Sequence, residues 1–217
     1  MRSSTVAVLL LGCSFPGGLL AQQINVGHFE GTVQAEWVRS GGQDRNMKLL
    51  KDFTYVDPKG KKWTAKKGFE TDGASIPKVF WSIVGGPFEG GYREAAVIHD
   101  WYCDTKTEPW KDVHRIFYYA SMAAGVSEKK AKILYAGVRI GGPKWGDNSS
   151  KCYPSCHGQE SMSPDKHGKL TVQPDLSEKD AHDIADWVTA NQPSLEEIDK
   201  YAREKFPNST FGHDAAQ

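Results

Sequence analysis

The pattern of apolar residues changes once along this chain, at Gly91, and that change limits the folds it can adopt. From residue 24 to residue 69, runs of aromatic and β-branched residues alternate with turn residues, which is typical of β-strands. After Gly91, apolar residues recur at helical spacing over 92–103, 110–124 and 127–140. The sequence therefore predicts an α+β fold with a small antiparallel sheet, a helical hairpin, a third helix and a helical C-terminal extension.

Local signals place the elements within this outline. Candidate strands cover 33–38, 49–56 and 62–65, and Asp57-Pro58-Lys59-Gly60 predicts a turn between the last two. A short helix is predicted over 78–84.

Serine residues mark the predicted helix starts. Ser127 is a candidate N-cap for the third helix, while Ser177-x-x-Asp180 and Ser194-x-x-Glu197 indicate two further helices near the C-terminus. The region between, 143–175, is polar and rich in Gly, Pro and Ser, which is typical of a loop or linker.

The first residues resemble an export signal. Arg2 precedes an apolar run over 6–11 and a softer run to Ala21, which predicts a signal peptide over 1–21 and a periplasmic or secreted protein. In a competing interpretation, Cys13 lies in a lipoprotein-like motif and anchors the chain to a membrane. No other stretch approaches the ~20 apolar residues of a membrane-spanning helix.

Charge and length limit the kinds of partner and the number of domains that we expect. The 217 residues contain 27 Lys and Arg and 27 Asp and Glu, so the formal net charge is zero, which argues against a nucleic-acid partner bound by bulk charge. After the signal, we expect an α+β domain over 22–146, then a polar linker and short helical tail over 147–217.

The cysteines suggest one covalent link. Cys152 and Cys156 flank a short loop, and export would permit a disulfide between them. The alternative is a metal site that includes His157. Cys103 is then left as an odd thiol one helical turn after His99, where it could act as a nucleophile.

Three pieces of the central segment could carry chemistry. His99 and Asp100 lie inside an apolar helix, His114 lies in the next helix, and Asp72 lies in a Gly-rich loop. Because the connection between the helices is short, both histidines would face one cleft. There a histidine could act as general base and the carboxylates Asp72 and Asp100 could hold a cation. The alternative is a structural polar network that pins the two helices.

The segment from about 49 to 145 resembles the domain-of-unknown-function 1353 family of bacteria and phages. The resemblance lies in Thr-Asp-Gly-Ala-Ser-Ile-Pro (71–77), Phe80-Trp81, Ala-Ala-Val-Ile-His-Asp-Trp (95–101), Ile116-Phe117 with Ala120, and 141–145. The family has no settled activity, so the resemblance implies no particular reaction.

A second resemblance, to the His-Asp helical core of phospholipase A2-like proteins, implies a reaction. It would make His99 the general base, Asp100 a calcium ligand and the Asp72-Gly73 loop the calcium loop. The sequence departs from that pattern because Cys103 stands at the tyrosine position and His114 at the position of the acid that orients the base. Two histidines and two aspartates would suit zinc better than calcium.

These observations lead to three hypotheses. The first is an exported hydrolase of cell-envelope lipid esters, with His99 and His114 as catalytic residues. The second is a non-catalytic, phage-derived or envelope-associated binding domain, and the third a zinc-dependent hydrolase of peptidoglycan or peptide. Five tryptophans in or near the segment would either line a cleft for lipid or glycan or pack in the core: Trp63, Trp81, Trp101, Trp110 and Trp145.

Overall fold

The computed structural model describes residues 24–40, 43–73, 76–86, 89–145 and 176–207. Everything stated below about contacts and burial concerns these residues.

Three of the sequence predictions lie outside the described residues. These are the signal peptide over 1–21, the lipid anchor at Cys13 and the bridge between Cys152 and Cys156. They stay predictions.

The strands form two three-stranded antiparallel sheets, in the orders β1-β4-β5 and β2-β3-β6. They are β1 His28–Glu30, β2 Ala35–Ser40, β3 Gln43–Leu49, β4 Phe53–Val56, β5 Lys62–Ala65 and β6 Glu70–Thr71.

The predicted strand over 49–56 is divided between the two sheets. Leu49 ends β3 and Phe53 begins β4. Between them, the Asp52 carboxylate accepts hydrogen bonds from the Lys67 backbone N–H at 2.9 Å and from the Lys66 ammonium at 2.9 Å. These bonds hold the chain where it passes from one sheet to the other.

The hairpin between β4 and β5 forms at the predicted turn. The Asp57 carboxylate accepts hydrogen bonds from the backbone N–H groups of Lys59 (2.8 Å) and Lys61 (3.0 Å), and from the Trp63 indole (3.0 Å). Gly60 has φ +84°, a left-handed conformation that glycine adopts without steric cost. One aspartate thus shapes the turn and orients a buried tryptophan.

Helices make up the rest of the described chain. They are α1 Trp81–Val84, preceded by a 3₁₀ turn at Lys78–Phe80, α2 Arg93–Thr105, α3 Trp110–Ala123, α4 Glu128–Gly141, α5 Glu178–Asn191 and α6 Leu195–Lys205. Ser127 caps α4, and Ser177 and Ser194 form capping boxes at the starts of α5 and α6. The predicted α+β class and the predicted helices are confirmed.

The helices enclose a core that is continuous with the sheets. Tyr92, Ile98, Phe117 and Leu134 are fully buried, because the apolar faces of α2, α3 and α4 meet there. Trp63, Trp101, Trp110 and Trp145 are also buried, so at least these four tryptophans take part in core packing.

The C-terminal helices pack on α4 instead of extending away from the domain. Ile184, Val188 and Ile198 are fully buried in the same core. Asp199 of α6 accepts a hydrogen bond from Arg139 Nε of α4 at 2.7 Å. The predicted helical tail is therefore an integral layer of the described structure.

Among the described residues, no helix combines the length and the apolar character that crossing a membrane requires.

Candidate metal centre

Two neighbouring helices bring three potential metal ligands together. His99 and Cys103 lie one turn apart on α2, and His114 lies on α3. His99 Nε2 is 2.9 Å from His114 Nδ1, and Cys103 Sγ is 3.6 Å from His99 Nε2. One nitrogen or sulfur atom of each residue lies within 4.8 Å of the other two.

These distances are close to those of a tetrahedral zinc site. Zinc bonds of about 2.0–2.1 Å to nitrogen and about 2.3 Å to sulfur place two nitrogens about 3.3 Å apart, and nitrogen and sulfur about 3.6 Å apart. The observed separations are 2.9 Å and 3.6 Å. Cys103 Sγ is also 3.7 Å from His99 Nδ1, so it lies about equally close to both nitrogens of that ring. An ion at this place would require the imidazoles to move apart by a few tenths of an ångström, and three protein ligands would leave a fourth position open.

Burial keeps both imidazoles neutral near pH 7. His99 is 1% exposed, and burial lowers its pKa to about 3. The pKa of His114, which is 0% exposed, is lowered well below the usual value by burial and then by electrostatic coupling to His99, Arg139 and Lys144. A neutral imidazole is the form that binds a metal ion.

One nitrogen of this pair has no hydrogen-bond partner within the described structure. The Pro143 carbonyl lies close enough to raise the pKa of His114, but its geometry does not complete a hydrogen bond to His114 Nε2. Since Nδ1 of His114 faces His99, Nε2 stays unsatisfied whichever imidazole donates the proton between the rings. A buried polar atom without a partner carries a desolvation cost.

Asp100 lies beside the cluster but is not part of it. Its Oδ1 is 4.0 Å from His99 Nδ1, and its Oδ2 accepts a 2.7 Å hydrogen bond from the Thr71 hydroxyl. The Gly73 backbone N–H donates to the same hydroxyl at 3.0 Å. Asp100 is thus fixed on the opposite side of His99 from His114, where it can orient the ring.

Asp72 lies apart from this arrangement. It is exposed, between Thr71 and Gly73, which are both buried. Neither Asp72 nor Asp100 belongs to the one group of potential metal ligands that converges among the described residues. The structure therefore brings the predicted His99 and His114 into contact, and supplies Cys103 where the sequence suggested carboxylates as ligands.

Aromatic rings surround the two histidines. Ring centroids of Phe117 and His99 are 4.7 Å apart, and those of Trp110 and Trp145 lie 5.4 Å and 6.4 Å from that of His114. This wall lowers the local dielectric and explains why desolvation is the largest cause of both pKa shifts.

Two basic side chains lie against Trp110. The Arg139 guanidinium carbon is 4.4 Å from the Trp110 ring centroid and the Lys144 ammonium 5.6 Å. Burial, and then the charge of Arg139, lowers the pKa of Lys144 to about 7. Sequence reasoning did not select either residue, because a basic residue near a helix C-terminus is ordinarily a solvated partner of the helix dipole.

Comparison with known proteins places this cluster inside a family segment. Residues 47–138 match the family model described as a protein of unknown function, DUF1353. The matched segment, called the DUF1353 segment below, contains all three potential ligands, His99, Cys103 and His114, and ends one residue before Arg139.

Two curated relatives, both from Sinorhizobium fredii (strain NBRC 101917 / NGR234), are similar to part of this chain. The uncharacterized protein y4iH is 51% identical over 104 residues, which are 48% of this chain and 44% of the relative. The uncharacterized protein y4jT is 46% identical over 122 residues, 54% of this chain and 36% of the relative. The chain thus spans less than half the length of either relative. No solved structure gives a significant match.

Proposed function

We propose that the DUF1353 segment is a metal-dependent hydrolase domain in which His99, Cys103 and His114 hold zinc or a similar transition metal. The observation that carries this proposal is the convergence of their ligand atoms within 4.8 Å, on two helices that pack against each other. Two neutral imidazoles and a thiolate are a donor set that zinc favours.

The residues around the cluster have roles that fit such a site. Asp100, held by the Thr71 hydroxyl, lies 4.0 Å from the second nitrogen of His99, beyond hydrogen-bond distance. A slight approach on metal binding would let it orient the ring, as carboxylates commonly do for metal-bound histidines. Phe117 and Trp110 pack against the two imidazoles and shield them from bulk solvent. A zinc ion bound there would supply an activated water and polarise a substrate carbonyl.

The geometry favours metal-assisted hydrolysis over the phospholipase A2-like alternative. In that alternative, a carboxylate from the second helix stabilises the protonated general base. Here the atom 2.9 Å from His99 Nε2 belongs to His114, which cannot stabilise an imidazolium as a carboxylate does. Envelope lipid esters, peptidoglycan and peptides, reached by an exported protein, remain the substrate classes that we propose.

Metal analysis and hydrolysis assays test this function together. The purified full chain should contain about one equivalent of zinc or a related ion. It should hydrolyse a phospholipid, peptidoglycan or peptide substrate, and chelation should abolish the activity until zinc is restored. His99→Ala and Cys103→Ser should lose both metal and activity, whereas the control His182→Ala, at an exposed position of α5, should keep both. Full activity in His99→Ala, or in metal-free protein, would refute the proposal.

A second candidate is a non-catalytic binding domain. The observation that favours it is burial, because His99, Cys103 and His114 are 1%, 8% and 0% exposed. A closed cluster of this kind can pin α2 to α3 either as a structural metal site or as a hydrogen-bonded pair. In that case, variants of the cluster should lose thermal stability, and no substrate should be turned over at any metal concentration.

A further inference from the structure

The proposed metal ligands are shielded from solvent, so an ion or a substrate can reach them only if a covering element moves. His99, Cys103 and His114 are 1%, 8% and 0% exposed. They lie on α2 and α3, which pack together within the continuous core, and the rings of Phe117 and Trp110 that pack against the imidazoles also belong to α3. Separating these helices would expose apolar surface to water. The element that gives access should therefore lie outside them.

A short segment after α4, residues 142–145, covers His114 and is called the strap below. The helix ends at Gly141, and the strap belongs to no helix or strand. The Trp145 ring lies edge-on to the His114 imidazole, with the ring centroids 6.4 Å apart. The Pro143 carbonyl also lies close to this imidazole. Because the strap is not part of a packed helix, it can move away from His114 while α3 and α4 stay in place.

A side-chain hydrogen bond fastens the strap to the loop between α2 and α3. The Trp145 indole N–H donates to the Glu108 carbonyl at 2.9 Å, and Trp145 is buried. The acceptor is itself held in place, because the Glu108 carboxylate pairs with the Lys61 ammonium of β5 at 2.7 Å. Breaking the indole bond would release the strap from this loop without disturbing the sheet.

The closed strap leaves one polar atom unsatisfied. His114 Nε2 is buried and has no hydrogen-bond partner within the described structure, and the nearby Pro143 carbonyl does not complete a bond to it. Such an atom carries a desolvation cost, and water that enters when the strap opens would remove part of that cost. The closed position is therefore stabilised by Trp145 and opposed by His114 Nε2.

We propose that the strap is a gate over the candidate metal centre, held shut by the Trp145 indole on the Glu108 carbonyl. When closed it shields His114 from bulk water, and when open it exposes the Nε2 edge of that imidazole. Its role in catalysis rests on the proposed function, in which the gate would admit ion and substrate and then exclude water. The opening itself is a property of the fold and can be measured without metal or turnover.

Chemical labelling of the metal-free full chain tests the gate. Diethyl pyrocarbonate acylates accessible neutral imidazoles, and peptide mass spectrometry gives the rate at each histidine, with the exposed His182 as the reference. The key variant is Trp145→Phe, which keeps an aromatic ring and removes the indole donor. Its matched control is Trp81→Phe, because Trp81 Nε1 also donates to a backbone carbonyl, that of Ile76, at 3.3 Å.

We expect His114 to be labelled slowly in the wild type. Trp145→Phe should speed this labelling by about three- to tenfold, the factor that corresponds to the loss of one hydrogen bond. Trp81→Phe should leave it at the wild-type rate, and His182 should react equally fast in all three proteins. If the metal-free chain binds Co²⁺, Trp145→Phe should load it faster by a similar factor.

Hydrogen exchange of the wild type measures the same opening and does not depend on the folding of any variant. The Trp145 indole N–H should exchange through a local opening, at a rate that low concentrations of urea do not change. The Phe117 backbone N–H, in the fully buried part of α3, should exchange faster as urea is added, because its exchange requires unfolding of the domain.

The inference is overturned if Trp145→Phe and Trp81→Phe label His114 equally fast. It is also overturned if the Trp145 indole and the Phe117 amide respond alike to urea, because the site would then open only when the domain unfolds. Should Trp145→Phe fail to fold, the exchange measurement decides. A working gate in a chain that binds no metal and turns over no substrate would refute only the hydrolase. Metal binding and turnover without the expected labelling and exchange would refute only the gate.

Discussion

His99 Nε2 and His114 Nδ1 lie 2.9 Å apart where α2 packs on α3, and Cys103 Sγ lies 3.6 Å from the first of these atoms. On the other side of His99, Asp100 is held by Thr71. A series of neighbouring side chains, Thr71, Asp100, His99 and His114, thus runs from strand β6 to helix α3. Any ion that binds here would join these elements.

Cobalt substitution tests the ligand set directly. After a chelator has removed any bound metal, we expect the protein to bind Co²⁺ and to show a thiolate-to-cobalt charge-transfer band. The band is expected because Cys103 supplies the sulfur atom of the cluster. Cys103→Ser should abolish the band and weaken zinc binding by about 100-fold or more. Absorption spectroscopy and competition with a chelator measure both effects. A band that persists in Cys103→Ser would assign the sulfur ligand to another cysteine.

Acid should destabilise the metal-free chain through its buried histidines. The folded-state pKa of His99 is lowered from 6.5 to about 3, and that of His114 is lowered as well. The unfolded chain therefore takes up protons that the folded chain does not bind, and stability falls as the pH drops from about 6.5 towards 3. The slope should reach about 1.4 kcal/mol per pH unit for each histidine.

Urea unfolding between pH 7 and pH 4.5 measures this slope. His99→Gln should reduce the slope by about 1.4 kcal/mol per pH unit, which is the contribution of one proton. His182→Gln, which removes a histidine from an exposed position on α5, should leave the slope unchanged. Equal slopes in all three proteins would show that the buried pair does not govern acid stability.

The Thr71 hydroxyl should contribute more to stability than an ordinary threonine hydroxyl. It donates to Asp100 at 2.7 Å and accepts from the Gly73 backbone N–H at 3.0 Å, in a buried setting. Thr71→Val would leave the aspartate with one donor fewer, at a cost of about 1–3 kcal/mol. Thr54→Val is the matched control, because its 2.9 Å contact with Thr64 joins two half-buried hydroxyls. Similar losses in chemical denaturation would contradict the special role of Thr71.

Local sequence signals predict much of the fold, but they do not predict that Arg139 is buried beside the candidate site. Ser127, Ser177 and Ser194 mark helix starts because a cap needs only the next three residues. The short connection after α2 likewise predicts the meeting of His99 and His114. Burial of Arg139, by contrast, depends on α6, which lies about 60 residues later and supplies Asp199.

The shared acid Asp199 should hold the C-terminal helices on the domain. It contacts Arg115, Tyr135 and Arg139 at once. Asp199→Ala leaves the buried Arg139 without its acid, which should cost about 3–5 kcal/mol. Glu196→Ala is the control, because its ion pair with Arg115 is largely exposed and worth about 0–1 kcal/mol. Equal unfolding free energies for the two variants would argue that α6 is not anchored through this acid.

Two glycines of α4 should respond to alanine in opposite directions. A Cβ atom at Gly137 would lie 3.5 Å from the Phe80 ring, an ordinary contact, so Gly137→Ala should stabilise the helix by about 0.5–1 kcal/mol. At Gly141 the Cβ would lie 2.5 Å from Pro77 Cγ and 2.8 Å from a Leu176 methyl group. The proline ring cannot rotate away, so Gly141→Ala should cost about 1–3 kcal/mol. Thermal and urea unfolding of the pair measure both signs. If Gly141→Ala were as stable as Gly137→Ala, α4 would not pack as closely against the Pro77 turn as the structure places it.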